Sequence, residues 1–158
     1  MQTKFNRIVL RAIFCVGPAA IVASCASMTK EQDITLAQAS EPARATISRE
    51  VGQGRVDKIS KEVERGKTVY DVEATVNGRH MEYLVAEKDG ALLGTEVPIE
   101  FGLLPQPVQA AAEKYFGTSN GLTIMKGVEY GETHYEVEGM KNGKKVEATF
   151  DPEGKKGK

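Results

Sequence analysis

Thr68-Val69-Tyr70-Asp71-Val72-Glu73-Ala74-Thr75-Val76-Asn77-Gly78-Arg79-His80-Met81-Glu82-Tyr83-Leu84-Val85 decides the fold. Tyr70, Val72, Ala74 and Val76 alternate with Asp71, Glu73 and Thr75, the period of a strand with one buried face. Asn77-Gly78 then turns the chain, because both residues tolerate the positive φ that a two-residue hairpin loop demands. Met81, Tyr83 and Val85 return on the apolar side. A two-residue turn also sets the register, so Val76 opposes Arg79 and Glu73 opposes Glu82. The pattern recurs 65 residues on, through Tyr135 and Val137, the turn Asn142-Gly143, and Val146, Ala148 and Phe150. There Lys141 opposes Lys144 and Glu138 opposes Glu147.

Working outward, the same offset carries Pro42 onto Pro107, Gly52 onto Gly117, Ile59 onto Ile124, Lys61 onto Lys126 and Gly66 onto Gly131. It holds without a gap over residues 42–85. One residue is then lost, and Asp89-Gly90 answers to Glu153-Gly154. Internal repetition of this kind predicts one structural unit used twice. Each unit begins with a helix. Pro42 and Pro107 suit the first turn, Ala43, Ile47 and Val51 form a stripe, as do Val108, Ala112 and Phe116, and Gly52 and Gly117 suit a left-handed cap. Strands follow at 56–65 and 122–130, then the two hairpins, with a short extra strand at 91–94 in the first unit. The expected fold class is α+β, as two tandem helix-plus-antiparallel-sheet repeats over residues 41–96 and 97–158.

The second unit carries Leu104-Pro105, Val108, Tyr135-Glu136-Val137-Glu138, Lys141-Asn142-Gly143-Lys144, Val146-Glu147 and Asp151-Pro152-Glu153-Gly154. The first carries Val69-Tyr70-Asp71-Val72, Asn77-Gly78 and Lys88-Asp89-Gly90-Ala91-Leu92-Leu93. These motifs resemble PepSY and PepSY-like domains, including the tandem type likened to beta-lactamase inhibitory protein. The resemblance implies a secreted or membrane-tethered module with a binding or inhibitory role, and no catalytic residues.

The N-terminus reads as an address. Met1 to Arg11 carries Lys4, Arg7 and Arg11 without an acid, and a short apolar run leads to Val22-Ala23-Ser24-Cys25. That is the secretory-signal pattern, too short to span a bilayer. Val-Ala-Ser-Cys resembles the lipobox of bacterial lipoproteins, which implies cleavage after residue 24 and lipidation of Cys25. Ordinary cleavage near Ala26 is the competing reading. Lipidation would remove Cys15 with the leader and leave no free cysteine pair for a disulfide. Ala26, in place of an Asp, implies an outer-membrane destination by the same resemblance. Residues 25–40 are small and polar, and read as a tether.

Composition narrows the function. The 158 residues hold 21 Lys and Arg against 22 Asp and Glu, a net charge of −1. Such a chain is not built to neutralise a phosphate backbone, so nucleic acid is not the expected partner. Two Cys and two His leave little for a structural zinc site, which usually needs four ligands. No nucleophile elbow, phosphate loop or metal signature appears, and neither an enzyme nor a cofactor is expected. His134 shares a strand face with Glu136 and Glu138, which invites a metal reading, although a solvated polar face accounts for the same pattern.

One constellation stands out. Both hairpins set two carboxylates directly across from each other, an arrangement that costs roughly 0.2–1 kcal/mol unless something offsets it. Lys61 and Lys126 are the candidate counter-charges. The candidate binding face comprises Glu73, Glu82, Glu138, Glu147, Asp71 and Glu136. The expected function is a non-enzymatic, lipid-anchored envelope protein that binds or inhibits an envelope protein or protease. The alternative is a module that takes a small ligand or cation on the acidic face.

Overall fold

Local preferences account for both helices. In the computed structural model, which describes residues 31–157, α1 (Glu41–Val51) carries Pro42 in its first turn and ends at Gly52, φ 55°. α2 (Gln106–Phe116) carries Pro107 in its first turn and ends at Gly117, φ 77°. Proline's missing N–H costs nothing at a helix start, and glycine meets no Cβ penalty at positive φ. Ala43, Ile47 and Val51 bury one stripe of α1, and Val108, Ala112 and Phe116 one stripe of α2. The leader, the lipobox with Cys25 and the tether up to residue 30 lie outside the described residues.

The strands are β1 (Gln32–Asp33), β2 (Arg55–Glu64), β3 (Lys67–Val76), β4 (Arg79–Ala86), β5 (Leu92–Pro98), β6 (Thr123–Glu129), β7 (Glu132–Lys141) and β8 (Lys144–Phe150). They form one eight-stranded sheet in sequence order, β1 to β8, every pair antiparallel. Two tandem repeats, each a helix with its own sheet, are therefore not what the chain builds. The short strand expected at 91–94 runs on to Pro98, and its outer edge pairs with β6 from Gly94↔Glu129 to Pro98↔Met125. An exposed sheet edge carries unpaired N–H and C=O groups, and pairing the two inner edges satisfies them. A second difference concerns the segment read as a tether. Its last residues join the domain, with Gln32 and Asp33 pairing with Lys61 and Ser60 and a turn of 3-10 helix at Leu36–Gln38.

Both helices pack on the same face of this sheet. α1 covers Ile59, Tyr70, Val72, Tyr83 and Val85, and α2 covers Ile124, Tyr135, Val137, Ala148 and Phe150. The register carries Tyr83↔Thr95↔Val128 across the join, so both clusters keep one side. Each helix start presses on a glycine turn. A side chain at Gly90 would strike the carbonyl of Pro42, and one at Gly154 the carbonyl of Pro107.

Among the described residues no helix covers the other face, and the sheet curls toward it. In a flat sheet the β2–β3 and β6–β7 turns would stand roughly 14–19 Å apart, three to four strand spacings. Instead the Arg65 guanidinium lies 4.2 Å from the centre of the Tyr130 ring. The Tyr130 hydroxyl donates to Glu64 Oε2 at 3.4 Å, and Arg65 Nη2 lies 3.7 Å from Glu132 Oε2. Arg65 and Tyr130 sit at φ 50° and 51°, uncommon for residues of their size. This contact draws the two turns together over the helix-free face. Val69 and Leu84 are buried there without a helix above them.

Candidate functional site: the helix-free face of the sheet

The strand register writes one row of residues straight across the helix-free face. Lys58 on β2 opposes Glu73 on β3, Glu73 opposes Glu82 on β4, and Glu82 opposes Glu96 on β5. Glu96 opposes Gly127 on β6, and Gly127 opposes His134 on β7. Three carboxylates thus stand on three consecutive strands. The backbone dictates this: successive side chains on a strand alternate faces, and antiparallel pairing keeps opposite residues on the same face.

Both expected carboxylate pairs form, Glu73 with Glu82 and Glu138 with Glu147. Asp71 and Glu136 share their face, Asp71 beside Leu84 and Glu136 beside Met125 and Thr149. Glu82, however, is not on a solvated surface. It is 3% exposed and Glu96 2%, because the curled sheet brings neighbouring side chains over its central strands.

The counter-charges differ from those expected. Lys61 opposes Tyr70 and so points to the helix side, where its Nζ bonds Glu87 Oε1 at 2.5 Å. Lys126 opposes Tyr135 and is exposed on that same side. Neither reaches a carboxylate pair. Lys58 does so in their place: it faces Glu73 and bonds Glu31 at 2.9 Å. Its burial disfavours the charged form, but Glu31, Asp33 and Glu73 outweigh that and raise its pKa. In the other half Lys145 Nζ lies 2.8 Å from Glu138 Oε2. On β4, His80 Nε2 lies 2.9 Å from Glu82 Oε1.

His134 is the second feature of the face. Its ring folds flat over Gly127, where a Cβ would overlap the imidazole atoms. That places Nε2 3.4 Å from Glu96 Oε1, with 18% of the histidine side chain exposed. Burial works against its charged form, but the contact with Glu96 and the charges of Glu96, Glu129 and Glu136 prevail and raise its pKa. One donor atom from each of Glu96, His134 and Glu136 falls within 4.8 Å of the others. Glu138, expected beside His134, instead pairs with Lys145, and Glu96 comes from a different strand. No spacing within one strand points to Glu96. The available signal was a glycine inside a strand, which marks close approach of another group.

Chemically, the face concentrates carboxylates on rigid backbone and can take up positive charge. Among the described residues no helix is long and apolar enough to cross a membrane. No family model matches the chain, and no curated protein matches it significantly. A solved structure from Bacteroides eggerthii DSM 20697, provisionally described as a periplasmic protein, is similar at 14% identity and TM-score 0.53, over 75% of this chain and 85% of its own. The likeness is one of fold.

Proposed function

We propose that the chain is a non-enzymatic module of the bacterial cell envelope, whose helix-free sheet face binds a basic segment of another envelope protein, such as a protease. The observation that carries this reading is the pair of carboxylates set across each hairpin, Glu73 with Glu82 and Glu138 with Glu147, of which Glu73, Glu138 and Glu147 keep access to solvent. Carboxylates held in register by a sheet offer a fixed acidic strip, and complementary charge both steers a partner and sets its orientation. The sequence motifs shared with PepSY-like modules support a binding or inhibitory role. The description of the Bacteroides neighbour supports a periplasmic setting. The basic leader and Val22-Ala23-Ser24-Cys25 support a lipid anchor at Cys25, directed to the outer membrane.

Capture from envelope extract tests the partner reading when the native chain is compared with the double variant Glu73→Gln/Glu138→Gln. A protein held by the native chain at low salt, and lost with the variant or at high salt, supports it, since exposed charges are screened by salt. Equal capture by both chains overturns it. Mass spectrometry of the mature N-terminus tests the anchor: an acylated Cys25 is expected, and an unmodified terminus at Ala26 or beyond excludes it.

A further inference from the structure

We propose that Glu96, His134 and Glu136 form a binding site for a divalent transition-metal cation. The site stands apart from the partner reading, since it needs no second protein. Two independent observations meet in it. The first is the donor set: one imidazole nitrogen and two carboxylate oxygens, each within 4.8 Å of the others. Ligand atoms about 2.0–2.2 Å from a common zinc lie at most about 4.4 Å apart. Small side-chain rotations therefore bring all three to one ion. Mixed nitrogen and oxygen donors favour zinc and its transition-metal neighbours, whereas calcium and magnesium take oxygen alone.

The second observation is Gly127. Glu96 on β5 and His134 on β7 are separated by β6, and any side chain at the intervening position would occupy the space of the imidazole. Glycine weakens a strand interior, since it has no side chain to pack and loses the most backbone freedom. Here it opens a cradle across which the histidine reaches the carboxylate of the next strand but one. The ligands are also fixed. Glu96 and Glu136 are 2% and 8% exposed and sit on central strands, not on loops. Two carboxylates and an imidazole suit the charge of a divalent ion, and an ion held on sheet backbone loses little entropy in ordering its ligands.

The test is zinc titration of the purified full chain by calorimetry, with far-UV circular dichroism to establish that each variant is folded. The native chain is expected to bind one equivalent, and excess zinc is expected to raise its melting temperature. His134→Gln removes the nitrogen donor at similar size and should abolish that binding. Gly127→Ala keeps all three donors but displaces the ring, and should weaken binding roughly 10–100-fold, the range for a disturbed supporting group. His80→Gln, which leaves the three donors in place, should bind as the native chain does. X-ray absorption of the zinc-loaded native chain should show one imidazole and oxygen ligands, a readout that holds even where a variant fails to fold. Zinc binding that survives His134→Gln overturns the proposal, as does an absorption spectrum without imidazole. Magnesium or calcium binding as tight as zinc overturns the assigned metal class.

Discussion

Glu82 and Glu147 occupy the same place 65 residues apart, each opposite a glutamate across an Asn-Gly hairpin, and their fates diverge. Glu82 is buried and Glu147 is exposed. The cause lies outside either hairpin. β4 has a strand on both sides, whereas β8 is the last strand of the sheet. The counter-charge moves accordingly. Glu73 faces Lys58 on the strand before it, but the corresponding neighbour of Glu138 is Thr123. Glu138 instead takes Lys145, on the strand after it, at the place His80 holds in the first half. Equivalent sequence thus gives equivalent hairpins, and sheet position decides what their charged faces become.

The largest expected break in the equivalence is in the helices. Ile47 and Ala112 correspond, and both are fully buried. In the second half Tyr115 and Phe116, at the end of α2, pack with Phe150 of the sheet, the ring centres of Phe116 and Phe150 lying 4.9 and 6.5 Å from that of Tyr115. Ile47→Ala should cost about 2–5 kcal/mol, and Ala112→Ile about 1–3 kcal/mol through overpacking. Urea unfolding of both variants checks this. A stabilised Ala112→Ile would show that the second core has unfilled space.

The glutamates give the next contrast. Glu82→Ala removes a buried hydrogen-bonding partner of His80 and should cost about 1–3 kcal/mol. Glu147→Ala should stay within about 0.5 kcal/mol, as exposed positions do. Equal losses in thermal unfolding would mean that sheet position is not what separates them.

Two pH effects sharpen the picture. The bond from Lys61, first, and that from Tyr70 hold the Glu87 carboxyl below its ordinary pKa, and Glu87 raises that of Lys61. A depressed carboxylate stabilises above its unfolded pKa, and that stability is lost as pH falls through the lower folded value. The melting-temperature advantage over Lys61→Met should therefore be present at neutral pH and vanish in acid. It should be small, under about 1 kcal/mol, because both groups are partly solvated. Burial, then Glu64, pushes the Tyr130 hydroxyl up to about 12. A raised pKa stabilises below the unfolded value, near 10, and that contribution fades as pH climbs through about 12. Burial raises the Tyr83 hydroxyl as well, so absorbance titration of Tyr130→Phe should lose one late transition while that of Tyr83 remains.

Much of this was legible in the residues. In Asn77-Gly78 and Asn142-Gly143 both asparagines take φ 52° and the glycines 75° and 73°, as a tight hairpin requires, so the glutamate pairs could be placed by counting. The helix stripes followed from spacing alone. The single sheet did not, because pairing between β5 and β6 joins residues separated by a whole helix, and no local preference encodes it. Glu96 was missed for the same reason: its neighbours on the face come from β4 and β7. The side on which Lys61 lies depended on the Arg65-Gly66 turn, where an arginine at φ 50° defies the usual residue preferences. The burial of Glu82 depended on curvature, which arises from a contact between two turns distant in sequence.

The strand order has a kinetic meaning. Every strand pairs with the strand before or after it in the chain, so the hairpins close short loops, whereas pairing β1 with β2 and β5 with β6 closes a loop that holds a helix. The stack of Arg65 on Tyr130 reaches furthest of these, since it joins the two halves. Its loop-closure cost is small only after the intervening strands have paired. Local hairpin formation is therefore expected to precede the locking of the sheet's curvature, which needs the two distant turns to meet.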